Sequence, residues 1–144
     1  MVLTDLILMT RVYCRDNNTH MFTDDNIKMF LNQGIDRLRQ YKVFDKMSYL
    51  ENNDDVVNFL PSQYHYLLAL FASSRCYDTD ERFYEGIEKR NEFESAFSDL
   101  INEIENNNVI ITDDDGATVD DKPNYIDYVV DKYFNVGDEE NDIL

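Results

Sequence analysis

The chain has 144 residues, which is the size of one ordinary domain and too short for two large ones. Its apolar share of 43% and aromatic share of 13% can supply a hydrophobic core, so the chain is expected to fold. The 13 basic and 30 acidic residues leave a formal charge of -17, which opposes non-specific adhesion to DNA phosphates or to an anionic membrane. Composition therefore disfavours a DNA- or membrane-binding protein and is compatible with a partner that has a basic protein surface.

Two helices are predicted in the first third of the chain. Thr4 and Asp5 suit a helix start, and apolar residues at helical spacings predict a short first helix up to about Cys14. After a polar turn at 16–19, Thr23 is suited to cap a second helix. Its apolar stripe, which needs a packing partner, consists of Ile27, Phe30, Leu31, Ile35, Leu38 and Tyr41.

Two further helices are predicted in the middle of the chain. Segment 43–59 is irregular and is expected to be a loop with at most a turn of helix. Pro61 suits the first turn of a helix that runs to Tyr77, and the dense apolar run within it predicts the central buried helix. Residues 78–80 are suited to cap a fourth, longest helix, whose expected stripe is Phe83, Ile87, Phe93, Phe97, Leu100, Ile101 and Ile104. The predicted fold class is all-α, a small bundle of about four helices.

The end of the chain differs in character from the predicted helices. Three asparagines at 106–108 are expected to end the fourth helix, and residues 109–112 have a strand-like spacing that is compatible with a short β-hairpin to 117–119. We therefore divide the chain into a helical core, residues 1–107, and an extended, acidic, tyrosine-rich C-terminal docking arm, residues 108–144. The predicted partner-binding residues of this arm are Tyr125, Ile126, Tyr128, Val129, Tyr133, Phe134, Ile143 and Leu144.

No combination of residues predicts catalysis or cofactor binding. His20 and His65 are the only histidines, and neither lies in a metal-binding or nucleophile motif. The four glycines form no phosphate-binding loop. The acidic string at 113–121 has the wrong spacing for a calcium loop, which favours a solvated turn. We expect a protein that is not an enzyme and that holds no metal or cofactor.

Two features bear on the compartment of the protein. Cys14 and Cys76 belong to no CxxC pair, so buried free thiols are expected, with a disulfide between them as the alternative. The apolar run at 1–11 has no basic leader and is interrupted by Asp5, so it differs from a signal peptide. No segment approaches the roughly 18 to 20 apolar residues that a membrane span requires. A soluble protein that is synthesised in a cytoplasm is expected.

The order of these features resembles that of the bacteriophage head-tail connector, or adaptor, proteins, which form a ring beneath the portal. The resemblance covers residues 3–107. It is carried by the short helix that begins Leu3-Thr4-Asp5-Leu6, the helix opened by Phe22-Thr23-Asp24-Asp25, the Leu60-Pro61 lead into residues 64–77, and the long helix with Phe93 and Phe97.

This resemblance implies an all-helical structural protein of the virion that assembles into a homo-oligomeric ring, typically a dodecamer. The implied partners are the portal protein, further copies of the chain and the next tail or ring component, while DNA passes through the ring without specific binding. The implied location is the head-tail junction of the virion, after synthesis in the host bacterial cytoplasm. In such proteins an extended C-terminal segment often docks onto the portal, and the arm described above has that character.

The net charge leaves open one alternative from a different class of protein. An acidic protein can mimic DNA and occupy the basic groove of a nuclease or repressor. Such an inhibitor would spread its carboxylates over one convex face and bind in a salt-sensitive manner, whereas a connector would bind the portal.

Overall fold

The computed structural model describes residues 1–16 and 21–119, and within them it contains four α-helices and no β-strand. The helices are α1, Leu3–Cys14; α2, Asp24–Leu38; α3, Tyr66–Thr79; and α4, Phe83–Glu105. Two short 3-10 turns, Lys42–Phe44 and Ser62–Tyr64, lie in the connection between α2 and α3. The all-α fold with about four helices is thus confirmed.

The helix α3 lies at the centre of the bundle. It contacts α1, α2 and α4. Residues Leu67, Leu68, Ala69 and Leu70 are all buried, because a helix enclosed by three others needs apolar side chains on nearly every side. The prediction of a central buried helix is confirmed, although α3 begins after the 3-10 turn rather than at Pro61.

Aromatic side chains join α4 to its neighbours. Phe93 and Phe97 stack along α4 with ring centroids 5.6 Å apart. The ring of Phe71 on α3 meets Phe93 edge-on at 5.4 Å, and Tyr41 meets Phe97 edge-on at 5.1 Å. Such pairs add roughly 0.5 to 1.5 kcal/mol each beyond the area they bury, so this cluster fixes α4 against both α3 and the segment that follows α2.

A buried cation fastens α1 to the start of α2. Arg11 is 4% exposed and donates to three acceptors: the carboxylate of Asp16 at 2.9 Å, the carbonyl of Phe22 at 3.0 Å and the carboxylate of Asp24 at 2.6 Å. Asp16 is equally buried and also accepts from the Phe22 amide. Both charges are therefore paired within the fold, as buried charges need to be.

The α2–α3 connection is held against α2 by one side-chain amide. Asn32 donates to the carbonyl of Leu50 at 2.9 Å and accepts from the amide of the same residue at 2.8 Å. These two hydrogen bonds hold the backbone at Leu50, whose side chain is buried. Farther along, Val56 forms an antiparallel bridge with Val2. The predicted loop with a turn of helix at 43–59 is confirmed, and its path is well defined.

Beyond α4 the chain reverses direction in a tight turn. The amide of Val119 donates to the carbonyl of Ile111 at 2.8 Å, and Thr112 forms an isolated bridge with Thr118. The carboxylate of Asp113 accepts from two amides of the turn, those of Asp115 and Ala117. The predicted β-hairpin is thus reduced to a single bridge. Ile111 is buried, so residues beyond the fourth helix add to the core.

Candidate assembly surfaces

The predicted docking residues of the arm lie outside the described part of the chain. They are Tyr125, Ile126, Tyr128, Val129, Tyr133, Phe134, Ile143 and Leu144. His20 also lies outside it. Their role in partner binding stays a prediction, and the surfaces below are formed by described residues alone.

The first turns of α4 expose an apolar patch. Phe83, Tyr84 and Ile87 are 59%, 74% and 50% exposed. The prediction that Phe83 and Ile87 belong to the core stripe is wrong. At about 100° per residue these side chains lie about 80° and 120° around α4 from Phe93, away from its buried face. We call Phe83, Tyr84 and Ile87 the apolar patch.

A groove runs between α3 and α4, with a cavity of about 610 Å³. Both helices supply its apolar floor, whereas its acidic rim belongs to α4 alone. The floor consists of Tyr66, Leu70 and Ala96, and the rim carries Glu88, Glu92 and Asp99. All three rim carboxylates are on exposed residues. The α3–α4 groove thus combines an apolar surface with negative charge.

One of the rim carboxylates is partly neutralised by a local partner. Lys89 lies 3.4 Å from Glu92, and its ammonium group is 5.2 Å from the centre of the Tyr13 ring on α1. Burial, the neighbouring Tyr66 and the charge of Glu92 raise the pKa of Tyr13. Glu88 and Asp99 form no salt bridge with the described residues, so the groove keeps a net negative rim.

Several basic residues, with the exposed Asp45 among them, follow α2. Arg39, Lys42 and Lys46 fall within eight consecutive residues of a chain that has only 13 basic residues in all. The Arg39 guanidinium lies 5.1 Å from the centre of the Tyr49 ring and donates to the carbonyl of Asp45 at 3.1 Å. Lys42 and Lys46 are exposed. We call Arg39, Lys42 and Lys46 the basic corner.

His65 lies at a second cavity, of about 500 Å³, between the α2–α3 connection and the turn after α4. Its Nε2 atom is 2.7 Å from the carbonyl oxygen of Leu60, and its Nδ1 atom is 2.8 Å from the amino nitrogen of Met1. Burial lowers the pKa of His65. A buried ring with both nitrogens hydrogen-bonded indicates a structural role for His65.

The backbone beside His65 is strained. Phe59 has a φ of 64°, and the amide of Leu60 donates to the carbonyl of Asn58 at 2.7 Å, which closes a tight three-residue turn. A positive φ is unfavourable for a bulky residue, so tertiary packing of the half-buried Phe59 ring holds this turn.

The two cysteines meet inside the bundle. Cys14, at the end of α1, and Cys76, on α3, are buried free thiols, as predicted from the sequence. The Cys14 thiol donates to the carbonyl of Arg11 at 3.8 Å. The interaction between the two neighbouring thiols lowers the pKa of Cys14 and raises that of Cys76. Burial further disfavours the thiolate of Cys76.

The described residues contain no cluster of three or more His, Cys, Asp or Glu side chains suited to a metal ion. None of the described helices is long and apolar enough to cross a bilayer. The fold and surfaces thus define a small, acidic, all-helical protein with separate apolar, acidic and basic surfaces. Comparison of the chain with protein-family models, with curated proteins and with solved structures finds no match.

Proposed function

We propose that this protein is a structural subunit of a bacteriophage head-tail connector, which forms a ring on the portal, extends the DNA channel and joins the capsid vertex to the tail. The observation that carries the proposal is the exposed apolar patch. Three large apolar side chains that are at least half exposed and adjacent on one helix suit a surface that a protein partner covers. The all-helical fold agrees with the subunit that the sequence resemblance implies.

The charge of the chain supports the same function. A formal charge of -17 repels DNA phosphates, which suits a channel wall past which DNA slides without sticking. The portal partner is then engaged through apolar and aromatic contacts. We assign those contacts to the arm, with Tyr125, Tyr128, Tyr133 and Phe134 as its aromatic anchors.

The apolar patch also separates this proposal from the DNA-mimic alternative. A DNA mimic recognises a basic groove through solvated carboxylates spaced like phosphates, and exposed Phe83, Tyr84 and Ile87 add nothing to that recognition. The carboxylates of α4 are interleaved with Lys89 and Arg90, and Arg82 directly precedes the helix, so they form no unbroken acidic surface. Both features favour assembly with another protein.

The function is tested by binding to the portal protein encoded in the same genome. Purified full-length chain is mixed with assembled portal rings and analysed by mass photometry and negative-stain electron microscopy. The expected result is a discrete complex with an added ring of density on one end of the portal. Absence of any complex would overturn the connector function.

A negative control and a pull-down experiment accompany that test. Capsid shells that lack the portal should not bind the chain. In a parallel pull-down from infected cells, the connector should recover portal protein, whereas recovery of a basic nuclease or repressor that is released by salt would favour the DNA-mimic alternative.

A further inference from the structure

The two cysteines lie next to each other where α1 packs on α3. Cys14 is the last residue of α1, Cys76 lies within α3, and the two helices are in direct contact. The hydroxyl of Tyr77 donates to the backbone carbonyl of Tyr13 at 3.1 Å. The residue before Cys14 therefore touches the residue after Cys76, and this contact holds the two thiols together as neighbours.

The side of α3 that carries Cys76 consists of small side chains. At about 100° per residue, Ala69, Ala72 and Ser73 lie within about 60° of Cys76 around the helix axis. All four residues are 0% exposed. Small side chains let a neighbouring helix approach closely, and a disulfide needs two Cα atoms within about 4.4 to 6.8 Å of each other. The packing around Cys76 therefore favours the short distance that a disulfide requires.

The two thiols differ in burial and in acidity. Cys14, at a helix end, is 4% exposed, whereas Cys76 is 0% exposed. The interaction with Cys76 lowers the pKa of Cys14, while the interaction with Cys14 and burial both raise the pKa of Cys76. The thiolate is the reactive form of cysteine, so Cys14 is the thiol that reacts first with an oxidant.

We propose that Cys14 and Cys76 form a redox-reactive thiol pair, which a hydroperoxide converts into a disulfide within one chain. The bond fastens the end of α1 to α3. Both thiols are buried inside the same bundle, which favours this bond over a disulfide between two chains. The inference goes beyond the connector function and does not depend on it, because the reaction requires no protein partner.

Hydrogen peroxide is the smallest oxidant of this class, and the reaction has two steps. The Cys14 thiolate attacks one peroxide oxygen, the O–O bond breaks and hydroxide leaves, which gives a sulfenic acid at Cys14. The sulfur of Cys76 then loses its proton and attacks Sγ of Cys14, and a second hydroxide leaves. The protons of the two thiols join the two hydroxides. Two thiols and one peroxide thus yield one disulfide and two water molecules.

The first test maps the bond in the full-length chain. Reduced protein is treated with hydrogen peroxide under native conditions, the remaining thiols are blocked with N-ethylmaleimide in denaturant, and tryptic peptides are analysed by mass spectrometry. Trypsin places Cys14 in peptide 12–15 and Cys76 in peptide 76–82. The expected product is these two peptides joined by a disulfide that dithiothreitol reverses.

Three results of the mapping would overturn the proposal. They are two blocked thiols in the treated protein, a disulfide between two chains on a non-reducing denaturing gel, and irreversible oxidation of Cys14 without a disulfide. The mapping uses the wild-type chain, so its result does not depend on how well any variant folds.

Two single variants test the order of the steps. In Cys76→Ala the sulfenic acid at Cys14 has no second thiol to react with, so dimedone, which traps sulfenic acids, should label Cys14. In Cys14→Ala the buried Cys76 should remain a free thiol at the same peroxide concentration. Equal oxidation of Cys76 in that variant would overturn the assignment of Cys14 as the first thiol to react.

The effect of the bond on the fold is measured as the melting temperature of the reduced and the oxidised chain. The disulfide closes a loop of about 60 residues, so oxidation should raise the melting temperature of the wild type by about 5 to 10 °C. The matched control is Cys14→Ala with Cys76→Ala, which keeps the five methionines that peroxide also oxidises but cannot form the bond. This control should gain nothing, and an equal rise in both proteins would overturn the stabilising role of the disulfide.

Discussion

Arg11 has two acceptors in the connection between α1 and α2 and a third at the start of α2, so its removal leaves the buried carboxylate of Asp16 without a cation. Arg11→Met should lower the free energy of unfolding by about 3 kcal/mol, because Asp16 then remains buried without its cation. Urea denaturation followed by circular dichroism measures the change. The loss should be smaller for Arg11→Lys, which keeps the charge but not the fork of donors.

The neighbouring arginine offers a control for that prediction. Arg15 is exposed at the end of α1 and forms no salt bridge with the described residues. Arg15→Met should therefore change stability by less than about 0.5 kcal/mol. Equal losses for the two arginines would contradict the role of the buried ion cluster.

His65 makes the stability of the fold depend on pH. Its pKa in the folded chain is lowered by burial, so the folded state binds its proton less readily than the unfolded state does. Stability is fully present above the unfolded value of 6.5 and is lost as the pH falls below it. The amino group of Met1 faces the ring, and Asp113 and Asp114 line the same cavity.

The measurement is the melting temperature between pH 7.5 and about 5 for the wild type and His65→Gln. The wild type should lose stability as the pH falls from 6.5, and the variant should lose less over the same interval, whatever its stability at neutral pH. Parallel curves for the two proteins would show that protonation of another group controls the acid response.

Sequence reasoning at the residue scale succeeds where an interaction is local. Thr23 is a predicted cap, and its hydroxyl accepts from the Asn26 amide at 3.1 Å while Asn26 bonds back to the Thr23 amide. The expected caps at 78–80 fail, because α4 begins only at Phe83 and the carboxylate of Asp78 binds Arg90 instead. A cap is set by neighbours in sequence, whereas that ion pair depends on tertiary packing.

At the scale of elements, Gly34 sets how closely α2 and α3 approach. A Cβ atom at this position would lie 3.2 Å from Cδ1 of Phe71 and 3.3 Å from Cδ2 of Leu68. Gly34→Leu should destabilise the fold by about 3 kcal/mol, because Phe71 is itself packed edge-on against Phe93 and has little room to move. Thermal and urea unfolding measure the loss.

Two control substitutions for Gly34→Leu lie on the same helix. Gly34→Ala should be close to neutral, since the better helix propensity of alanine, about 1 kcal/mol, offsets the tight contacts. Gln33→Leu adds the same side chain at a half-buried neighbouring position and should cost less than about 1 kcal/mol. A mild effect of Gly34→Leu would mean that α2 and α3 pack less closely than described.

Element types follow from the sequence more reliably than the faces they bury. The spacing of Phe93, Phe97 and Leu100 defines the buried face of α4 correctly, since these positions recur at three and four residues. Phe83 and Ile87 lie about 80° and 120° around the helix from Phe93, so they fall beside that face, although their apolar character placed them in the expected stripe. Their angular offset from Phe93 on a helical wheel is the signal that could have revealed the apolar patch.

At the scale of the whole molecule, added salt should stabilise the fold. Adding NaCl from low ionic strength to about 0.2 M should raise the melting temperature, because it screens the self-repulsion of a chain with charge -17. Differential scanning fluorimetry measures the change, and a melting temperature that falls on addition of salt would contradict this picture.

Truncation separates the packed part of the chain from the arm. A chain that ends at Val119 keeps the buried Ile111 and the hydrogen bond between these two residues, so its melting temperature should stay within a few degrees of that of the full chain. Its binding to portal rings should be lost. A chain that ends at Asn107 lacks Ile111 and should be less stable.

Surfaces that combine residues of different helices are the level at which one sequence says least. Arg37 of α2 and Glu94 of α4 form a salt bridge although they are 57 residues apart in the sequence. The floor of the groove likewise joins Tyr66 of α3 to Ala96 of α4. Such surfaces exist only after tertiary packing, so periodicity cannot reveal them.

The thiols of Cys14 and Cys76 can report local opening of the helical bundle. Because both are buried at the contact of α1 and α3, an alkylating reagent can reach them only when α1 lifts from the bundle or the whole chain unfolds. The labelling rate under native conditions therefore measures the free energy of that opening. If Cys14 is labelled faster than global unfolding allows, α1 is a separately opening unit, and the protein can loosen one helix while the other three stay packed.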